Sequence, residues 1–141
     1  MKTPQEKCSF VSMKRLAMSQ LLTWKNSAAR KPLILQGARQ VGKTWLLKEF
    51  AKNEYKNLAY ISCEKNPRMQ ELFSDYDTRR IIRGISAITG QTIEAEKTLI
   101  FIDEIQELPR AIASLKYFCE NPQVFVRSKG LNADIYCMCI R

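Results

Sequence analysis

The chain has 141 residues, of which 45% are hydrophobic and 26% charged, and it carries a formal net charge of +9 without a single histidine. This length supports one ordinary hydrophobic core, and the composition excludes a disordered or low-complexity chain. Without histidine there can be no Ser-His-Asp triad and no His-ligated zinc. Any catalysis therefore depends on carboxylates, lysines, backbone amides or a metal held by oxygen ligands.

Three features bear on where the chain resides. The longest purely aliphatic or aromatic run, residues 99–102, is far shorter than the roughly 20 residues of a membrane-spanning helix. The N-terminal residues lack the apolar stretch of a secretory signal. The five cysteines are odd in number and scattered, which favours free thiols over disulfides or a metal site. We expect a cytoplasmic protein with no membrane segment.

In chain order, the first predicted element is an amphipathic helix over residues 13–28. Its apolar residues recur at three- and four-residue steps: Leu16, Ala17, Leu21, Trp24 and Ala28. Pro32 ends this pattern, and the apolar run 33–35 predicts a buried parallel strand that leads into a turn at Gln36-Gly37. Helical spacing resumes over residues 44–52. The order is therefore strand, glycine turn, helix.

The remaining elements alternate in type. Strands are predicted at 58–62 and 98–102, helices at 69–73, 79–88 and 109–119, and a further strand at 123–126. Helix 79–88 is expected to bury Ile81, Ile82, Ile85 and Ile88 on one face and to stop at Gly90. Strands alternating with helices predict an α/β fold with a parallel sheet and right-handed crossovers.

Residues 37–44 match the phosphate-loop pattern G-x-x-x-x-G-K-[ST], Walker A, between a predicted strand and a predicted helix. The residues are Gly37, Ala38, Arg39, Gln40, Val41, Gly42, Lys43 and Thr44. Backbone N–H groups of such a loop point at phosphate oxygens. Lys43 would reach the β- and γ-phosphates, and the Thr44 hydroxyl would ligate Mg²⁺. The alternative is an accidental glycine turn before a helix.

An acidic pair, Asp103 and Glu104, follows the apolar strand at its carboxyl end, where parallel α/β sheets bind ligands. We interpret it as Walker B, with Asp103 holding Mg²⁺ directly or through water and Glu104 polarising the attacking water. Such a pair alone is often a solvated strand end, but the upstream phosphate loop favours hydrolysis. Gln106 and Glu107 either orient the γ-phosphate region or form a simple polar turn.

Basic residues are concentrated at the N-terminal end: residues 1–48 hold ten Lys or Arg and one acid, Glu6. A nucleic-acid contact driven by counterion release is one interpretation. No RNP-like, zinc-finger or helix-turn-helix pattern accompanies it. The alternative is a solvated face and turn formed by Lys14, Arg15, Lys25, Arg30 and Lys31.

Three segments together, residues 31–44, 98–106 and 115–120, resemble the prokaryotic AAA-type P-loop ATPases. The resemblance covers about residues 16–121. It implies a three-layer P-loop NTPase fold, an ATPase that hydrolyses ATP to ADP and phosphate, and ATP and Mg²⁺ as cofactors. It is compatible with a nucleic-acid or protein client and, in full-length relatives, with assembly into homo-oligomers, but P-loop chemistry does not specify the client.

The resemblance ends near Asn121. Family members continue with a sensor strand, a Gly-Ser turn and a large C-terminal region, and the sensor strand lies between the P-loop and Walker B strands. We therefore expect an ATPase domain over 13–126, an N-terminal extension over 1–12 and an irregular, truncated tail over 127–141. Losing the sensor strand would compromise folding and catalysis, so the alternatives are an inactive remnant that only binds nucleotide and a basic nucleic-acid-binding module.

Overall fold

The structure, a computed structural model, describes residues 4–27, 31–36, 42–94, 96–120 and 134–139. Loop residues 37–41 of the predicted Walker A segment and the predicted strand 123–126 lie outside these ranges. The chain divides into two compact units, Met1–Arg30 and Lys31–Arg141. Among the helices of the described ranges, none combines the length and apolarity needed to cross a membrane.

The first unit contains one helix, α1, over Pro4–Lys25. It begins well before residue 13, where the apolar periodicity starts. Its first residue is Pro4, and proline is readily accepted in a first helical turn. Leu21 is buried, but Leu16 is 63% exposed, so the expected apolar face was wrong at that position. Leu16 and Leu21 are five residues apart, and residues at that spacing do not share a helix face.

The second unit alternates strands and helices. Its elements are β1 Leu33–Gln36, α2 Lys43–Glu54, β2 Asn57–Ser62, α3 Pro67–Leu72, α4 Thr78–Thr89, β3 Thr98–Asp103, a short 3-10 turn Ile105–Glu107, α5 Pro109–Glu120 and β4 Asp134–Cys139. The side chains of Asn66 and Asp77 cap α3 and α4. Gly90, at φ 67°, ends α4, as predicted. Ile88 is exposed, so the expected buried face of α4 stops at Ile85.

The four strands form one parallel sheet in the order β1-β4-β3-β2. Cys137 of β4 pairs with Ile34 on one side and Ile102 on the other. The expectation of an irregular tail over 127–141 was therefore wrong for this segment. Apolar, β-branched and aromatic residues suit an internal parallel strand, and backbone pairing does not require the sensor pattern that the family resemblance led us to seek.

The sheet position of β1 corrects another expectation. Within the described sheet β1 lies at the edge, and Ile34 is 40% exposed. The apolar run of this strand had suggested burial on both faces. An apolar run shows that a strand is compatible with burial, but its place in the sheet decides how much of it is covered.

Helices cover both faces of the sheet. On one face, Ile61, Ile100 and Ile102 belong to a core cluster that continues into α3, α4 and α5. On the other face, α2 contacts β2 and β3 through a side that buries Leu47 and Phe50. Every residue of β3 is buried. The result is the predicted three-layer α/β architecture.

Gly84 marks a close approach between α4 and α3. A Cβ atom at this position would overlap Leu72 Cδ1, and Leu72 is itself buried in the core. Replacing a helical glycine by alanine gains about 0.8–1.0 kcal/mol in helix propensity, whereas overpacking a core costs about 1–3 kcal/mol. Gly84→Ala should therefore lower the free energy of unfolding by about 1 kcal/mol in urea denaturation. Arg83→Ala, on the exposed side of the same helix, should change it by less than about 0.5 kcal/mol. A stabilised Gly84→Ala variant would show that Leu72 yields freely.

Candidate functional site

The N-terminus of α2 is shaped by Gly42. This residue has φ 81° and ψ 19°, a left-handed conformation, directly before the first helical residue, Lys43. No described residue lies within 4 Å of a Cβ atom placed there, and the left-handed backbone is by itself a reason for glycine. Backbone N–H groups of a first helical turn find no acceptor in their own helix and are suited to anions. Lys43 and Thr44 lie in this turn, both half-buried.

The carboxylate of Asp103 lies at the carboxyl end of β3 and is only 6% exposed. Its Oδ2 accepts a hydrogen bond from the Tyr60 hydroxyl at 2.7 Å, and its Oδ1 accepts one from the Glu104 backbone N–H at 3.0 Å. Each carboxylate oxygen thus has a donor, which defines the orientation of the buried group.

The strand register decides on which face of the sheet Asp103 lies. Tyr60 pairs with Phe101, and Ser62 with Asp103. Because side chains alternate along a strand, Tyr60, Phe101 and Asp103 share one face. The ammonium of Lys48, on α2, lies 4.4 Å from the centre of the Tyr60 ring. Asp103 therefore faces the side of the sheet that α2 covers.

The two predicted motifs also meet at one edge of the sheet. All four strands are parallel, so β1, which leads toward α2, and β3, which leads to Asp103, end at the same edge. This is the edge where open parallel sheets bind ligands. The described parts of both motifs, Gly42 to Thr44 and Asp103 with Glu104, come at or after the ends of these two strands in the chain.

Glu104 has a left-handed backbone, φ 52° and ψ 38°. This conformation costs a non-glycine residue about 1–2 kcal/mol, and such strain concentrates at functional sites. The Gln106 side-chain amide donates a hydrogen bond to Glu104 Oε2. Gln106 and Glu107 both lie in the short 3-10 turn after β3, where Gln106 contacts the acidic pair and Glu107 is exposed.

Tyr60 is the site residue that sequence reasoning missed. The sequence predicts segment 58–62 only as a strand, and no local pattern distinguishes a tyrosine that bonds a carboxylate from one that fills a core. Burial, followed by the hydrogen bond to Asp103, raises the pKa of Tyr60 well above its usual value. Its hydroxyl therefore stays protonated and remains a donor.

Cys63 follows β2 and lies close to the acidic pair. Its backbone N–H donates to the Asp103 carbonyl at 3.0 Å, and its thiol is free and buried. Burial, with the nearby Asp103 charge, raises the pKa of Cys63 to about 12. The thiol is therefore protonated at neutral pH and is a poor nucleophile.

The donor set fits Mg²⁺ rather than a metal caged by protein. Within the described ranges there is no cluster of three or more His, Cys, Asp or Glu side chains. Mg²⁺ is commonly bound by one or two carboxylates together with substrate phosphates. A buried carboxylate at Asp103 and a hydroxyl at Thr44 are hard oxygen donors of this kind.

A parallel sheet covered by helices on both faces, with a Gly-Lys-Thr helix start and an acidic pair at its carboxyl edge, defines an α/β P-loop NTPase domain. The family model described as "AAA domain" matches residues 29–133, and the chain belongs to that family. It is thus an ATPase-type nucleotide-binding domain. The matched region stops just before β4.

The fold is also similar to a solved structure. That of PCH-2 from C. elegans matches with a TM-score of 0.50 and 17% identity, over 90% of this chain and 37% of that one. At this identity the likeness concerns the fold alone, and the chain spans well under half of PCH-2. No curated protein matches the chain by sequence.

Proposed function

We propose that the chain binds ATP with Mg²⁺ and hydrolyses it to ADP and phosphate. The observation that carries this proposal is the register of β2 and β3, because it sets Asp103 on the face covered by α2. The P-loop helix and the acidic strand end can act on the same nucleotide only if they lie on the same face and at the same edge of the sheet. Membership of the AAA domain family supports the same activity.

Binding would rest on the start of α2. Its first-turn N–H groups, with those of loop residues 37–41, would donate to phosphate oxygens, and the Lys43 ammonium would neutralise charge on the β- and γ-phosphates. The Thr44 hydroxyl and the Asp103 carboxylate would hold the metal. When bound, Mg²⁺ draws negative charge from the β- and γ-phosphate oxygens.

Hydrolysis would rest on Glu104. Its carboxylate would accept a hydrogen bond from a water molecule aligned with the γ-phosphorus, as phosphoryl transfer needs positioning and charge stabilisation above all. Water adds to the γ-phosphorus while the bond to the bridging oxygen breaks, ADP leaves, and Glu104 accepts the proton that the water loses. The Gln106 amide donates to Oε2 and orients the Glu104 carboxylate.

Equilibrium binding of a fluorescent ATP analogue with Mg²⁺ tests the nucleotide site. The wild-type chain should bind saturably, and Lys43→Ala should weaken binding by about 10- to 150-fold, the value of a hydrogen bond to a charged group. Lys52→Ala is the matched control, because it removes the same charge from the exposed side of α2, and it should bind like wild type. Equal affinity in wild type and Lys43→Ala would refute the assignment, as would a folded wild type that does not bind.

A further inference from the structure

We infer that Tyr60 is a positioning residue for the Asp103 carboxylate and that Lys48 couples α2 to it through the Tyr60 ring. This inference rests on the proposed function and adds two residues to the site that lie outside both sequence motifs. Its basis is a chain of contacts from α2 through β2 to β3.

The Tyr60 ring is held from two sides. It lies edge to face against Phe101, with ring centres 5.1 Å apart and planes at 68°. The Lys48 ammonium lies 4.4 Å from the ring centre, within the distance of a cation–π contact. Both contacts favour the side-chain rotamer of Tyr60 in which its hydroxyl bonds Asp103.

The hydroxyl orients Asp103 without using up its capacity. An ionised carboxylate offers about four lone-pair positions. Among the described residues, Tyr60 occupies one on Oδ2 and the Glu104 N–H one on Oδ1, so these two bonds leave a further position on each oxygen. Asp103 can therefore receive a metal or a metal-bound water in an orientation that is already set.

Lys48 gives this arrangement a link to the phosphate-binding end of α2. It lies on the same helix as Lys43 and Thr44, about one turn further on, and its ammonium contacts the ring whose hydroxyl bonds Asp103. The Tyr60 side chain thus contacts both α2, which begins the phosphate site, and Asp103, the proposed metal ligand. A change in the position of α2 would alter the orientation of the carboxylate.

Tyr60→Phe tests the inference, because it keeps the ring and removes only the hydroxyl. Two quantities are measured. The first is the affinity for a fluorescent ATP analogue, in Mg²⁺ and in EDTA, and the second is the Mg²⁺ concentration that gives half-maximal binding. We expect the half-maximal Mg²⁺ concentration to rise about tenfold, as for loss of a hydrogen bond to a charged group, while the affinity in EDTA stays at the wild-type value. A purely structural role would lower both affinities together.

Two further variants sharpen the result. Tyr117→Phe removes a hydroxyl from a tyrosine of α5 that stacks on Tyr76. Because α5 packs on the sheet face opposite Asp103, this variant should not alter the Mg²⁺ requirement. Lys48→Ala should raise that requirement about two- to fivefold, the value of an exposed cation–π contact, and Lys48→Arg, which retains a cation over the ring, should restore it.

The outcomes separate the two proposals. A wild type that binds nucleotide with no effect of Mg²⁺ would overturn the proposed metal site and the role of Tyr60 with it. If the wild type depends on Mg²⁺ and Tyr60→Phe needs the same or less Mg²⁺, the positioning role alone is refuted. A lower half-maximal Mg²⁺ concentration in the variant than in the wild type would show that the hydroxyl competes with the metal for Oδ2.

Discussion

Replacing Glu104 with glutamine should remove ATP turnover and leave nucleotide binding intact. Glutamine has nearly the same shape, but it lacks the negative charge that polarises water. Loss of a positioned general base costs about 10²- to 10⁴-fold in rate. The expected result is a fall of that size in phosphate release under single-turnover conditions, with the dissociation constant for the ATP analogue within about twofold of wild type.

Glu107→Gln is the matched control for this experiment. It makes the same chemical change at an exposed position in the same turn, and its turnover should stay within about twofold of wild type. If Glu104→Gln keeps more than a tenth of wild-type turnover, another group positions the water. A wild type that binds nucleotide but does not turn it over would instead favour the inactive, nucleotide-binding alternative.

Replacing Cys137 with proline should unfold the second unit. Cys137 lies inside the sheet and pairs with Ile34 and Ile102 on its two sides. Proline lacks the N–H needed for a ladder hydrogen bond and is not tolerated in a central strand. A buried acceptor left without its partner costs about 1–3 kcal/mol, and the disturbed pairing of β4 on both sides adds to this, against the roughly 5–15 kcal/mol by which a domain is stable. Circular dichroism should show a lowered or absent thermal transition, and ATP-analogue binding should be lost because β1 and β3 are no longer joined.

Cys137→Val separates this effect from the loss of the thiol. Valine favours strands, so the variant should unfold near the wild-type temperature and bind nucleotide. If Cys137→Pro melts and binds like wild type, β4 does not join the sheet, and the original expectation of an irregular tail is correct.

Tyr60 and Lys48, the two proposed site residues outside the motifs, show what sequence reasoning cannot find. Lys43, Thr44, Asp103 and Glu104 were recognised because each lies in a short run whose neighbours also belong to the pattern. Tyr60 was not, because its relevance depends on Asp103, 43 positions further along the chain. A contact at that separation is created by strand register, and one sequence carries no direct sign of register.

The strands expose the same limit. Apolar runs were enough to predict β1, β2 and β3, and helical periodicity predicted α2 to α5, since these depend on residues a few positions apart. The order of the strands in the sheet does not depend on nearby residues and was not predicted. Ile34 of β1 was expected to be buried and is exposed at the described edge, while residues 134–139, expected to be irregular, lie between β1 and β3.

By itself, the sequence determined the α/β class, the helix start at Gly42 to Thr44 and the acidic strand end at Asp103 and Glu104, because local spacing and residue chemistry specify these features. Only the tertiary structure decided that β4 joins the P-loop strand to β3, that Asp103 faces α2 and that Tyr60 bonds its carboxylate. These depend on which strands become neighbours and in what register, and that choice is made by the burial and pairing of segments far apart in the chain.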